Sequence, residues 1–123
     1  MKVTAVQHVS LVVSDTARSL HFYRDILGFP INAHRPDLPF PGAWLDIGDL
    51  QIHLIENDTR SKAATADAPV GRDSHIAFII DSIEELKLIL SKAGVPFTES
   101  QRRPALFCRD PDGNGLEFIV PSP

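Results

Sequence analysis

The chain has few of the residues and runs that mark several large classes of protein. It contains one cysteine, Cys108, which excludes an internal disulfide framework. Its apolar runs are only a few residues long, so we expect no membrane partner. It has no long run of lysine or arginine and its net charge is -4, which argues against nucleic acid as the main partner. The N-terminal sequence MKVTAVQHVS leads directly into a strand pattern, so we expect no signal peptide and a cytoplasmic location.

The most informative feature that is present is an internal repeat. The strand-like segment HVSLVV, from His8 to Val13, reappears as HIAFII, from His75 to Ile80. The strand-like segment QIHLI, from Gln51 to Ile55, reappears as GLEFI, from Gly115 to Ile119. The chain of 123 residues is therefore predicted to hold two copies of one structural unit.

The repeat places four metal-ligand residue types at equivalent points of the two copies: His8, His53, His75 and Glu117. Three histidines and one glutamate form a ligand set for divalent Zn, Fe, Mn, Ni or Co. Alternate side chains of a strand share a face, so two inward-curled sheets would bring the four together. A metal would also explain a carboxylate in the apolar strand of Glu117, since a buried charge without a partner is costly. The alternative to a metal site is that the three histidines are half-buried residues without a ligand role and that Glu117 faces solvent.

The first half of the chain reads as a βαβββ unit. It begins with a strand at Gln7–Val13, followed by a helix that is capped at Ser14-Asp15-Thr16 and ends at Gly28. The apolar residues of this helix are Ala17, Leu20, Tyr23 and Leu27. A strand at Phe29–His34, a proline-rich loop at Arg35–Gly42 and a hairpin of Ala43–Ile47 and Leu50–Ile55 complete the unit. The polar segment Glu56–Asp73 reads as a linker between the halves.

The second half repeats this order. It begins with a strand at Ser74–Ile80, followed by a helix that starts at the capping box of Ser82 and stops at Gly94. This helix is predicted to bury Ile83, Leu86, Leu90 and Ala93. Three strands follow, at Pro96–Ser100, Pro104–Arg109 and Gly115–Val120, with a tight turn at Asp110–Asn114.

These motifs together resemble the vicinal oxygen chelate superfamily, which contains glyoxalase I, extradiol dioxygenases, fosfomycin-resistance enzymes and bleomycin-binding proteins. The resemblance is carried, over nearly the whole chain, by the segments HVSLVVSD (His8 to Asp15), FYRDILGF (Phe22 to Phe29), IHLIE (Ile52 to Glu56), HIAF (His75 to Phe78) and DPDGNGLEF (Asp110 to Phe118). It implies an α+β fold in which two βαβββ modules form curled mixed sheets around a cleft. A single domain over residues 1–123 would consist of module 1 at about 3–56, a linker at about 57–73 and module 2 at about 74–121.

The resemblance also implies a site. Metal-dependent members take their ligands from the first and last strands of each module, which implies His8, His53, His75 and Glu117 as metal ligands. Glyoxalase I-like enzymes often have Glu or Gln where this chain has His53, a departure that bears on the substrate rather than on metal binding. Glu117 or His53 is expected to act as the catalytic proton carrier. Many relatives pair two chains, which implies a homodimer.

We therefore expect a metal-dependent, glyoxalase-like lyase or isomerase that acts on a small-molecule substrate with two neighbouring oxygens. One alternative is a non-haem iron dioxygenase of the extradiol type, with a two-histidine, one-carboxylate set of His8, His75 and Glu117. Another alternative is a drug- or metabolite-binding resistance protein without catalysis. The ligand set argues against the second alternative, because bleomycin-binding relatives tend to lack it.

Several other residues are weaker candidates for the site. His21 and His34 have no counterpart in the repeat, and His21 is expected on a helix surface. The arginines Arg102, Arg103 and Arg109 are either anion ligands or, as we expect, solvated charges on edge strands. The aromatic residues Trp44, Phe40 and Phe107 would form an apolar wall of the pocket or part of the core. Cys108 is expected to be a small core residue without an activated thiolate.

Overall fold

The computed structural model describes residues 1–57 and 64–122, and the chain divides into two units, Met1–Arg60 and Ser61–Pro123. Within these described residues each unit contains one curled sheet and one helical segment, so the predicted α+β class is confirmed. Part of the predicted linker at about 57–73 falls on residues 58–63, which lie outside the described residues.

Unit 1 holds a three-stranded sheet in the order β1-β3-β2. Its elements are β1 (His8–Val13), the helix α1 (Thr16–Leu20), which continues as a π-helical segment (His21–Ile26), and the strands β2 (Gly42–Ile47) and β3 (Leu50–Glu56). Strand β1 runs parallel to β3, and β2 runs antiparallel to it. The core of the unit is formed by buried apolar side chains, among them Val13, Phe22, Tyr23, Leu45, Ile52 and Leu54.

The helical segment of unit 1 begins and ends where its sequence signals predict. The Asp15 side chain accepts a hydrogen bond from the backbone N–H of Arg18 at 3.0 Å, which caps the first turn. Gly28 adopts a φ of 81° just after the last turn, a conformation that residues with a Cβ rarely adopt.

The middle of this segment differs from the predicted α-helix. The Leu27 N–H bonds to the carbonyl of Phe22, five residues earlier, as in a π-helix. The wider turn buries Phe22 beside Tyr23, whereas Ala17, which precedes it in α1, is exposed. A spacing of three and four residues assumes 3.6 residues per turn, which a π-turn interrupts.

The predicted strand at Phe29–His34 is reduced to a single bridge between Ile31 and Leu45. The carbonyl of Pro30 accepts from Asp46 at 2.9 Å, but proline has no N–H with which to extend a ladder. Two residues later the Asn32 side chain accepts from the His34 N–H at 2.8 Å and turns the chain away. Over its described residues, 1–57, the first unit therefore has three strands rather than four.

Unit 2 holds a four-stranded sheet in the order β4-β7-β6-β5. Its elements are β4 (His75–Ile79), the helix α2 (Ile83–Ala93), β5 (Phe97–Glu99), β6 (Ala105–Arg109) and β7 (Gly115–Ile119). Strand β4 runs parallel to β7, while β6 pairs antiparallel with both β7 and β5. Its buried apolar side chains include Phe78, Leu86, Leu90, Leu106, Leu116 and Phe118.

Helix α2 follows its predicted signals closely. The Ser82 side chain accepts from the Glu85 N–H at 3.1 Å, and Gly94 ends the helix with a φ of 71°. Leu86 and Leu90 are buried as predicted, but Ala93 is exposed, because it lies in the last turn beside the glycine cap. No helix within residues 1–57 and 64–122 is long and apolar enough to cross a bilayer.

The turn between β6 and β7 is organised by one buried aspartate. The Asp110 Oδ1 atom accepts from the backbone N–H groups of Asp112 and Asn114, each at 2.9 Å. Gly113 takes a φ of 85° in this turn. The predicted tight turn is thus confirmed, and it sets the register in which Glu117 enters β7.

Candidate functional site

In unit 1 the strand register brings an aromatic ring beside His53. Ser10 of β1 and Trp44 of β2 are the two Cα partners of His53, one on each side of β3. The neighbours of His53 in β3, Ile52 and Leu54, are almost fully buried in the core. Because side chains alternate along a strand, His53 projects from the opposite face of the sheet.

Three rings form a continuous stack on this face. The His8 and His53 rings lie 4.0 Å apart between centroids at an interplanar angle of 12°. The Trp44 and His53 rings lie 4.1 Å apart at an angle of 2°. His53 Nε2 lies 2.8 Å from Gln51 Oε1, and His8 Nδ1 is hydrogen-bonded to Gln7 Oε1. The orientation of the His53 ring is therefore restrained on both faces and at its edge.

The surroundings of His53 favour its neutral form. His53 is 8% exposed, and this burial lowers its pKa below the usual 6.5. His8 and Arg35 lower the pKa further by charge repulsion. A neutral imidazole has a free lone pair on one ring nitrogen, which is the form that binds metals and accepts protons.

In unit 2 the register brings an aromatic ring beside Glu117 in the same way. Ala77 of β4 and Phe107 of β6 are the Cα partners of Glu117, one on each side of β7. The pair Phe107 and Glu117 thus repeats the pair Trp44 and His53. The strand pairing supports the equivalence that the repeat predicts for the two predicted catalytic residues.

His75 and Glu117 form a close pair. His75 Nε2 lies 3.2 Å from Glu117 Oε2, and the carboxylate side chain is only 7% exposed. The other ring nitrogen, Nδ1, lies 2.9 Å from the carbonyl oxygen of Asp73. Since a carbonyl oxygen can only accept, Nδ1 carries a proton, and in a neutral ring Nε2 then presents a lone pair to the carboxylate. A divalent cation shared by Nε2 and Oε2 would satisfy both acceptors.

Arg103 completes the surroundings of Glu117. Its Nη2 donates to Glu117 Oε1, and its guanidinium lies over the Phe107 ring at 5.9 Å from the centroid. The arginine side chain is 48% exposed, so the ion pair lies at the boundary between the buried strand and solvent. Sequence reasoning expected a solvated edge charge here and missed this contact. The available signal is that Arg103 lies two residues before β6, the strand that pairs with that of Glu117.

Each unit thus brings two of the four predicted metal ligands together: His8 with His53, and His75 with Glu117. Taken by itself, neither unit contains, within its described residues, three or more His, Cys, Asp or Glu side chains placed to hold a metal. The donors in each pair nevertheless suit a divalent metal, because they are histidine nitrogens and one buried carboxylate.

The expectation that Arg109 is a solvated charge is wrong. Its side chain is 2% exposed, and Nη1 donates to Asp73 Oδ2 at 2.8 Å and to the Gly113 carbonyl at 3.0 Å. Nε donates to the Ala68 carbonyl at 3.0 Å, and the fork also reaches the Pro69 carbonyl. These bonds hold the segment before β4 in place. The same guanidinium lowers the pKa of Asp73, mainly through the hydrogen bond.

The remaining candidates lie outside both pairs. Cys108 is buried, and this burial, with a smaller effect of Asp110, raises the pKa of its thiol to about 12, so the prediction of an inert core thiol is confirmed. Phe107 and Cys108 line a cavity of about 150 Å³ within unit 2. His21 is exposed on the helix and pairs with Asp25 at 3.4 Å, as expected of a surface histidine.

The comparisons with known proteins agree with this architecture. The model of the Glyoxalase/Bleomycin resistance protein/Dioxygenase superfamily matches residues 5–118. The chain belongs to this superfamily. The resemblance inferred from its sequence motifs is thereby confirmed.

Two curated relatives and one solved structure illustrate the range of the superfamily. Glyoxylase I 4 from Arabidopsis thaliana is 31% identical over 96% of this chain and 71% of its own length. Glutathione transferase FosA from Serratia marcescens is 29% identical over 96% of this chain and 82% of its own. The fosfomycin resistance protein FosX from Listeria monocytogenes, solved with Mn(II) and a dihydroxypropylphosphonic acid, has a TM-score of 0.78 at 19% identity and covers 98% of this chain and 95% of its own. At that identity FosX shows the shared fold alone.

Proposed function

We propose that this protein is a divalent-metal-dependent enzyme of the glyoxalase type, a lyase or isomerase that acts on a small substrate with two neighbouring oxygens. In this proposal His8, His53, His75 and Glu117 together bind one metal ion. Zn, Ni, Co, Mn and Fe all suit this donor set.

The observation that carries the proposal is the approach of His75 Nε2 to Glu117 Oε2 at 3.2 Å. The Asp73 carbonyl accepts a hydrogen bond from Nδ1, so in a neutral ring Nε2 is the nitrogen with a lone pair. Two ligand atoms that each lie roughly 2.0–2.2 Å from one metal ion are themselves about 3 Å apart when the angle at the metal is tetrahedral or octahedral. The separation of Nε2 and Oε2 agrees with this value. This spacing supports the proposal that His75 and Glu117 bind the same metal ion.

The histidine pair of unit 1 supports the same proposal. His53 has a lowered pKa, so at neutral pH its ring is uncharged and has a lone pair for a metal. Its stacking on Trp44 and His8 restrains the ring, and a restrained ligand loses less conformational entropy when a metal binds. His53 occupies the same position in the ladder of unit 1 as Glu117 occupies in the ladder of unit 2. This equivalence supports the proposal that both belong to one set of ligands.

The chemistry follows from these residues. A bound metal would act as a Lewis acid that stabilises negative charge on a substrate oxygen. We assign the proton transfer to the Glu117 carboxylate, which would leave the metal, take the proton from one substrate carbon and return it to the neighbouring carbon. His53 is the alternative proton carrier, since its neutral imidazole can accept a proton at physiological pH. The strand residues around both groups limit the access of water.

The relatives support an enzyme rather than a pure binding protein, because the two curated relatives are named as a glyoxylase and a glutathione transferase. The second name also makes a thiol co-substrate a reasonable reagent to test. Ring-cleaving oxygen chemistry would need open coordination positions, and four protein ligands leave few of them.

Metal analysis of protein purified without a histidine tag tests the proposal, followed by removal of the metal and its replacement with each candidate ion. Each form is then assayed with the methylglyoxal–glutathione adduct, with fosfomycin plus glutathione, and with catechols. We expect about one metal per chain and turnover of a substrate with vicinal oxygens. Ring cleavage only with ferrous iron would indicate the dioxygenase alternative. Tight ligand binding without metal or turnover would refute the enzyme proposal in favour of a binding protein.

A further inference from the structure

The two oxygens of the Glu117 carboxylate have different partners. Oε2 faces His75 Nε2 at 3.2 Å, while Oε1 accepts from Arg103 Nη2. The carboxylate lies within β7 and is only 7% exposed, so it has little freedom to exchange these partners for water. The arginine therefore contacts the oxygen that the proposed metal site does not need.

The guanidinium of Arg103 is held on a second side. It lies over the ring of Phe107 at 5.9 Å, and Phe107 is the Cα partner of Glu117 on the neighbouring strand. An arginine over an aromatic ring is attracted to the ring face, and its planar fork loses little freedom on pairing with a carboxylate. Strand pairing thus places the ring and the carboxylate so that both contact the same guanidinium.

We propose that Arg103 is a positioning residue that makes Glu117 a single-oxygen metal ligand. By occupying Oε1 it would direct Oε2 alone towards a bound metal, so that the carboxylate would compete less with the two oxygens of the substrate. This inference rests on the proposed metal-dependent function. It adds a residue that the four-ligand set does not include, and it assigns that residue a defined effect on coordination.

A competing role, in which the arginine replaces the metal, fits the contacts less well. A competitor would hold the oxygen nearest His75, whereas Arg103 holds the opposite oxygen. Hydrogen-bonded partners of metal ligands orient the ligand, and their removal typically weakens metal binding about 10- to 100-fold. Loss of Arg103 is therefore expected to weaken metal binding rather than strengthen it.

Calorimetric titration of metal-free protein with Mn²⁺ tests the proposal in four forms: wild type, Arg103→Ala, Arg103→Lys and Arg102→Ala. Arg102 is an exposed neighbour, so its loss removes the same charge without touching Glu117. We expect Arg103→Ala to weaken Mn²⁺ binding about 10- to 100-fold and Arg102→Ala to stay within about twofold of wild type. Arg103→Lys should recover part of the affinity, because an ammonium can donate one hydrogen bond to Oε1.

Visible absorption of the Co²⁺ forms reports the coordination of the ion separately from affinity. At saturating Co²⁺, the bands of Arg103→Ala should differ from those of wild type, because Oε1 is free to join the metal, and the bands of Arg102→Ala should not. A purely structural role would change the thermal midpoint of the metal-free protein but leave the Co²⁺ bands alone. If Arg103→Ala does not fold, Arg103→Lys is compared with wild type instead. We then expect a smaller loss of metal affinity and a smaller change in the Co²⁺ bands.

Each contrary result has its own meaning. Equal Mn²⁺ affinities of Arg103→Ala and Arg102→Ala, with wild type binding normally, overturn the role of Arg103 and leave the metal site standing. Tighter binding by Arg103→Ala overturns it in favour of an arginine that competes with the metal. If wild type and Arg102→Ala bind neither Mn²⁺ nor Co²⁺, the four-residue site fails and the inference fails with it.

Discussion

Trp44 and His53 are partners across the β2–β3 ladder, and their rings lie parallel with centroids 4.1 Å apart. The indole covers one face of the imidazole and the His8 ring covers the other. With a ring against each face, the imidazole cannot rotate without displacing a neighbouring ring. The contact therefore fixes the direction of a proposed ligand before any metal is bound.

The first prediction concerns the proposed ligands of unit 2. His75→Ala and Glu117→Ala should each lower the metal content and abolish most of the rise in melting temperature that added metal causes, because only the folded state has the site. Metal analysis and thermal melts with and without added metal measure both effects. His21→Ala is the matched control, since His21 is exposed and pairs only with Asp25 among the partners described for it. Unchanged metal stoichiometry in both ligand variants would falsify the proposal.

The second prediction is a pH dependence due to His53. Its pKa in the folded protein lies below the usual 6.5, so as the pH falls below about 6.5 the unfolded chain binds a proton that the folded chain does not. The free energy of unfolding of the metal-free protein should then fall, by no more than about 1.4 kcal/mol per pH unit, while above that pH His53 contributes no slope. Urea unfolding at acidic and neutral pH should show a smaller loss for His53→Gln than for wild type. Identical pH dependence of the two proteins would contradict the prediction.

The third prediction concerns Arg109, which bonds the segment before β4 to the sheet of unit 2. Arg109→Lys should lower the free energy of unfolding by about 2 to 4 kcal/mol, because one ammonium cannot replace the fork and leaves buried carbonyls without donors. Urea unfolding measures the loss. Arg102→Lys serves as the surface control and should change stability by less than about 0.5 kcal/mol. A loss no larger than that of the control would show that the buried arginine has no stabilising role.

The fourth prediction concerns the loop from Arg35 to Gly42. Phe40 is 36% exposed there, and the Arg35 guanidinium lies 5.7 Å from its ring centroid while donating to its carbonyl at 2.7 Å. We expect this loop to form a wall of the substrate pocket or of the dimer interface, so Phe40→Ala should alter substrate affinity or dimerisation at unchanged metal content. Leu88→Ala, at an exposed apolar residue of α2, is the control. Reduced stability with both functions normal would mean that Phe40 only anchors the loop.

The fifth prediction is a homodimer. Within their own sheets, β1 and β2 in unit 1 and β4 and β5 in unit 2 are edge strands, and the backbone groups of an edge strand can pair with a further strand. Sedimentation at micromolar concentration should therefore give a species of twice the chain mass of 13.6 kDa. A single species of the chain mass over that concentration range would exclude it.

Much of the fold could be predicted because the signals are local. The caps at Asp15 and Ser82 and the glycine stops at Gly28 and Gly94 act within a few residues of the chain, and all four occur where predicted. The strand at Phe29–His34 was wrong, since its alternation ignored the missing N–H of Pro30. The π-turn was not predicted, because the same apolar residues suit an α-helix equally well.

For the site, the sequence by itself determined that His8, His53, His75 and Glu117 occupy repeated strand positions, because the period of a strand is local and survives in both copies. Only the tertiary structure decided what touches them. Strand register brings Trp44 onto His53, and a residue 14 positions away in the chain, Arg103, onto Glu117. It also buried Arg109, which forms hydrogen bonds to residues 40 and 41 positions away. Such contacts depend on how distant segments pair and on the rotamers that packing allows, and no local pattern in the chain encodes either.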